Sequence, residues 1–121
     1  MVNAQSPLLV LWHGTTMRRA EAIVLNGPDP DYRETVESTP AEGFFGARAS
    51  GPYPCGSPQD YAMLKAKLFP EEGGPAIVEM AIPVPIALLA DQSGGDYRFL
   101  QDYGIEDLLA AWPTIRKRII S

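Results

Sequence analysis

The apolar run "PLLVLW", residues 7–12, is rich in branched side chains and closes at His13-Gly14, which predicts a strand buried on both faces. Beyond it, Met17, Ala20, Ile23 and Val24 recur at helical spacing while Arg18, Arg19 and Glu21 take the wet side. A helix capped by Thr15 or Thr16 and stopped by Gly27-Pro28 accounts for that pattern. From Pro28 to Glu42 the periodicity lapses and prolines stand at 28, 30 and 40, so a long surface loop is expected. "GFFGARAS", residues 43–50, reads as a short aromatic strand, and "GPYPCGSP", residues 51–58, as a turn.

Ser57-Pro58-Gln59-Asp60 has the order of a helix start, with Ser as cap, Pro at the first helical position and an acid three residues after the cap. Tyr61, Leu64 and Leu68 then form one apolar stripe, widened by Ala62, Ala66 and Phe69, until Pro70 and Gly73-Gly74 end the segment. "PAIVEMAIP", residues 75–83, alternates most clearly: Ala76, Val78, Met80 and Ile82 share one face, Ile77, Glu79 and Ala81 the other. "IALLA" fits a short strand or a helical turn, "DYRFL" a strand, "IEDLLAAW" a helix and "TIRKRII" a final strand. Few helices followed by mostly strands predict an α+β domain rather than a doubly wound sheet.

A chain of 121 residues suits one domain, residues 1–121, with no room for a second core. Ten Lys and Arg against fifteen Asp and Glu give a formal charge of −5, which opposes binding to nucleic-acid phosphates. Arg116, Lys117 and Arg118 form a small basic patch that reads as a solvated strand face. The single cysteine, Cys55, excludes an internal disulfide, and one Cys with one His cannot supply the four ligands of a structural zinc site, so no metal is expected. Cys55 sits in a Pro/Gly turn with no clear helix N-terminus behind it, which argues against a thiol nucleophile paired with His13. No basic-then-apolar leader or bilayer-length apolar stretch is seen, and a cytoplasmic protein without membrane contact is expected. Neither G-x-x-x-x-G-K-[ST] nor G-x-G-x-x-G occurs, so a nucleotide would have to be held without those phosphate cradles.

Three pieces stand in a telling order: "HGTT" at His13–Thr16, "GFFGARAS" at Gly43–Ser50 and "SPQDYA" at Ser57–Ala62. This order resembles the ADP-ribosyltransferases of the diphtheria-toxin and poly(ADP-ribose)-polymerase type, whose core opens with a strand ending in His-Gly-Thr or His-Gly-Ser. In that family a Gly-aromatic strand and a Ser-x-x-x-Tyr helix follow, and a late strand bears a catalytic glutamate. The resemblance implies two small split antiparallel sheets with two or three helices, and NAD as cofactor in the cleft between the sheets. It implies contacts to NAD at His13, Gly14, Thr15, Phe45, Ala47, Ser57 and Tyr61. His13 would hydrogen-bond a hydroxyl of the adenosine ribose, the Gly14 backbone the nicotinamide carboxamide, and Phe45 and Tyr61 would sandwich the nicotinamide.

The implied activity is transfer of ADP-ribose from NAD to a protein or small-molecule acceptor, through an oxocarbenium-like state that a carboxylate steadies. The family glutamate falls on Asp96 in "GGDYRFL", with Glu106 in "YGIED" as the fallback, and the family tyrosine falls on Phe45. Those departures give a second reading, a domain of the same fold that binds NAD or ADP-ribose or a protein partner without turnover. Apart from the resemblance, His13 reads as a strand-end histidine donating to a carbonyl, Tyr61 as a core tyrosine and Asp96 as a turn residue. Because a strand alternates its faces, at most one of Phe44 and Phe45 faces a pocket, and the motif assigns Phe45. The loop from Pro28 to Glu42 is the expected place for acceptor contacts.

Overall fold

The computed structural model describes residues 7–32, 42–48, 58–92 and 96–120. In chain order the elements are β1 (Leu8–Thr16), α1 (Met17–Asn26), β2 (Phe44–Arg48), α2 (Pro58–Leu68), β3 (Pro75–Pro83), α3 (Val84–Ala87), β4 (Tyr97–Phe99), α4 (Ile105–Ala111) and β5 (Arg116–Ile120). Two 3-10 turns, Pro70–Glu72 and Trp112–Thr114, precede β3 and β5. The five strands form one antiparallel order, β4-β2-β1-β3-β5, so the class is α+β as expected. The described residues hold four α-helices rather than two or three, because Val84–Ala87, which takes in the first two residues of "IALLA", forms a helical turn, α3. None of these helices is long and apolar enough to cross a membrane.

The pairing is uneven, and that unevenness places the site. β1 and β3 pair along all nine residues, from Leu8 opposite Pro83 to Thr16 opposite Pro75. By contrast β1 meets β2 only at Leu11 opposite Arg48 and Trp12 opposite Ala47. The remaining residues of β2 pair outward, Phe44 with Phe99, Phe45 with Arg98 and Gly46 with Tyr97. Thus β2 is shared between two neighbours, and the sheet parts between β1 and β2 from His13 onward.

On one face of the sheet, Ala76, Val78, Met80 and Ile82 of β3 are buried as their alternation predicted, with Leu11, Phe44, Phe99, Ile105, Leu108 and Trp112 completing the main core. Thr16 caps α1, its side chain accepting from the Arg19 N–H, and Gly27 at φ +84° ends it. The Trp112 indole donates to the Val24 carbonyl at 3.2 Å, which ties the end of α1 to the turn before β5.

Helix α2 lies over β1 and β3. Gly14 permits this: a Cβ there would sit 2.1 Å from the Pro58 carbonyl oxygen and 3.0 Å from the Ala62 nitrogen. So close an approach leaves room only for small groups, and Ala62 is the buried contact, 2% exposed. The expected stripe is therefore corrected: Tyr61, Leu64 and Leu68 are 43%, 50% and 56% exposed, and the helix is turned to place Ala62 on the sheet instead. A second correction concerns β1, which is not buried on both faces, since Leu8 and Val10 remain exposed at its start. It also runs past His13-Gly14 to Thr16.

Gly14→Ala must push α2 off the sheet or bend β1, and overpacking of this kind costs on the order of 1–3 kcal/mol. Urea denaturation should show that loss. A loss under roughly 0.5 kcal/mol, the range of an ordinary surface change, would contradict the close packing described.

Candidate functional site

Had β1 and β2 stayed paired, Gly14 would face Phe45 and Thr15 would face Phe44; the parting of the strands opens a cavity there instead. Its volume is about 1060 Å³, and His13, Gly14, Thr15, Phe44 and Phe45 border it together with Tyr61 from α2. That volume lies at the upper end of the range for small-molecule sites. Five of the residues expected to hold cofactor therefore converge on one cavity: His13, Gly14, Thr15, Phe45 and Tyr61.

His13 spans the break. Its Nδ1 lies 2.8 Å from the Phe45 carbonyl oxygen, an atom that can only accept, so Nδ1 carries the proton and donates. The ring also rests on Phe44, with centroids 4.4 Å apart and planes tilted by 31°. Burial pushes the imidazole down from 6.5 to about 4, against the raising effect of the Phe45 hydrogen bond, while Lys65 and Arg19 add to the lowering. At neutral pH the ring is uncharged and its Nε2 is an acceptor.

The strand also aims its backbone. The Pro7 carbonyl accepts from Val84 N–H and the Met17 N–H donates to the Gly74 carbonyl, so odd positions of β1 turn their polar groups toward β3. By alternation the even positions turn theirs the other way. Gly14 thus directs its N–H and C=O to the side that β2 has left.

Sequence reasoning missed the charged residues of the cavity. Arg19 of α1, Lys65 of α2 and Arg98 of β4 border it, as do Asp29, Tyr32 and Glu42 at the two ends of the loop expected to contact an acceptor. Residues 33–41 of that loop lie outside the described residues. Arg19 is held on several sides: Nε donates to Glu72 at 2.8 Å, a terminal nitrogen donates to the Tyr32 hydroxyl, and the guanidinium lies 4.2 Å from the Phe69 ring centroid. Burial raises the Glu72 carboxyl, but hydrogen bonds from Thr16 and Arg19 outweigh it, and Glu72 ionises below its ordinary value. Two of the missed cations were within reach of simple spacing: Lys65 stands one helical turn after Tyr61, and Arg98 alternates with the inward Tyr97 and Phe99.

Other expected residues fall elsewhere. Ala47 opposes Trp12 in the last β1–β2 pair, so it is still in the ladder and does not border the cavity. Asp96 precedes β4, and the strand reaches the cavity two residues later at Arg98, a distance of roughly 7 Å along a strand. Its Oδ1 is buried without a hydrogen-bond partner among the described residues, and burial raises its pKa. Glu106 is exposed in the first turn of α4, whose Ile105 and Leu108 enter the core, and it does not border the cavity either. The acidic residues that do are Asp29 and Glu42. Ser57 and Cys55 lie outside the described residues. Both Phe44 and Phe45 border the cavity, contrary to strict alternation, because the buried Phe44 ring forms part of its floor under His13 while Phe45 is 40% exposed.

Among the described residues no three or more His, Cys, Asp and Glu side chains are grouped as metal ligands. The chain matches no protein-family model, no curated protein and no solved structure.

Because the unfolded chain takes up a proton on His13 near 6.5 and the folded chain only near 4, folding stability should fall as pH drops from about 6.5 to 4. The carboxylate of Glu72 withdraws its contribution only below its ordinary value of 4.5, and the raised pKa of Asp96 acts the other way, favouring the fold as pH falls, so a loss in the upper part of this window belongs to His13. Urea midpoints for the parent and His13→Asn across pH 7 to 5 check this. The parent should lose stability over that range and the variant should not; equal slopes would contradict the assignment.

Proposed function

We propose that the cleft between β1 and β2 binds NAD and that the chain is an ADP-ribosyltransferase-type domain passing ADP-ribose to a protein or small-molecule acceptor. The observation that carries this reading is the break in the sheet at His13-Gly14. A neutral imidazole with a free acceptor role, a glycine backbone turned toward the opening, and aromatic and cationic side chains all meet there. A dinucleotide needs that combination: an acceptor for a ribose hydroxyl, polar backbone for a carboxamide, flat surfaces for the rings and cations for the pyrophosphate.

In the proposed reaction the nicotinamide–ribose bond breaks with its electron pair moving to the nicotinamide nitrogen. The acceptor's nucleophilic atom supplies the pair for the new bond at the ribose carbon and gives up its proton to solvent water. Neutral His13 orients the ribose without acting as a base, and a carboxylate opposes the positive charge that develops on the sugar. Glu42, which borders the cavity, is the residue proposed for that task, and Asp96 would reach the cavity only after a shift of β4. The position of Asp96 and Glu106 outside the cavity favours a second reading on the same fold, binding of NAD or ADP-ribose without turnover.

One-dimensional proton NMR of NAD with a small amount of protein, followed for a day, separates the readings. Transfer predicts broadened NAD signals and accumulating free nicotinamide, with accumulation reduced on the order of a hundredfold in Glu42→Gln or in Asp96→Ala and unchanged in Glu106→Gln. Broadening without nicotinamide would establish the binding reading. Neither signal at millimolar NAD would overturn both.

A further inference from the structure

Two aromatic side chains at the cavity, Phe45 and Tyr61, have a cation placed beside them by backbone geometry. Phe45 and Arg98 are direct partners across the β2–β4 pair, which puts both side chains on the same face of the sheet. The Arg98 guanidinium carbon lies 5.7 Å from the Phe45 ring centroid, and its Nε donates to the Glu42 carbonyl at 3.0 Å. Tyr61 is followed one helical turn later by Lys65, on the same side of α2, and both border the cavity. In a chain with a formal charge of −5 this pairing is local, not a consequence of overall composition.

We propose that Arg98 is a specificity-determining residue that sets the aromatic part of this cleft against a positively charged ring. The inference rests on the reading that a nicotinamide dinucleotide or ADP-ribose occupies the cleft. The oxidised nicotinamide ring of NAD carries one positive charge; the reduced ring of NADH is neutral, and ADP-ribose has no such ring. A cationic ring stacked on Phe45 lies beside the Arg98 guanidinium within a partly desolvated cavity, where like charges repel more strongly than in water. Ligands with the same phosphates and a neutral ring escape that repulsion. The repulsion also acts in the direction of cleavage, because breaking the bond to ribose leaves nicotinamide neutral and moves the positive charge to the sugar, farther along the ligand.

Isothermal titration of NADH, NAD and ADP-ribose into the parent, Arg98→Met, Arg98→Lys and Lys65→Met tests the proposal. The parent should bind NADH more tightly than NAD, on the order of tenfold. That ratio should shrink toward one in Arg98→Met and persist in Arg98→Lys. It should change less in Lys65→Met than in Arg98→Met, while Lys65→Met weakens all three ligands together. Equal affinity of the parent for NADH and NAD overturns the proposal without need of any variant. So does a ratio that survives in Arg98→Met, or one lost equally in Lys65→Met, which would assign the preference to total charge. Absence of binding by all three ligands overturns the dinucleotide reading itself, and this proposal with it.

Discussion

A sheet that opens between two neighbouring strands leaves backbone groups without ladder partners, and something must satisfy them. Here the His13 imidazole replaces a strand: it donates to the Phe45 carbonyl across the gap and rests its ring on Phe44. This one hydrogen bond fixes the tautomer, keeps the mouth of the cleft at a set width and holds the ring where burial keeps it uncharged. The acceptor character of Nε2 depends on it, while the aim of the Gly14 backbone follows from the pairing of β1 with β3. The structural and functional readings of a lone strand-end histidine are therefore compatible, since one ring nitrogen serves the fold and the other is left for a ligand.

The close approach of α2 is the second constraint. Because Gly14 has no side chain, the Pro58 carbonyl and Ala62 come down onto β1, and α2 presents Tyr61 and Lys65 along the cavity wall instead of burying them. Burial of Tyr61 and Leu64 would have gained more hydrophobic stabilisation than burial of Ala62. The helix forgoes that gain, and the same turn that exposes Tyr61 gives the cleft one of its aromatic surfaces.

What could be read from the sequence was what is local along the chain. His13, Gly14 and Thr15 are consecutive, so a three-residue motif was enough to place them together, and the onset of helical spacing narrowed the cap of α1 to Thr15 or Thr16, of which the structure uses Thr16. The alternation of β3 was legible because the strand lies inside the sheet, paired by β1 along its whole length and by β5 from Ile77 to Ala81. Phe45 and Tyr61 were also placed at the cleft, though Tyr61 reads equally well as a core residue until the contact at Ala62 is known. What could not be read was convergence. Arg19, Lys65 and Arg98 come from three separate elements, and no spacing within one element announces that they meet. Asp96 shows the limit most plainly, because it was read as the first residue of the strand "DYRFL", whereas β4 begins at Tyr97 and which of its residues reaches the cavity depends on the register with β2.

The central claim is that His13 bridges the parted strands through Nδ1–H and keeps Nε2 as an unprotonated acceptor at neutral pH. Long-range proton–nitrogen correlation NMR on uniformly nitrogen-15-labelled protein, in which His13 is the only histidine, reports the state of each ring nitrogen directly. The structure predicts a protonated, pyrrole-type Nδ1 and an unprotonated, pyridine-type Nε2 at pH 7. The opposite tautomer, or two averaged nitrogens typical of a free imidazole, would mean that the bridge to Phe45 does not form and that the cleft is held open some other way.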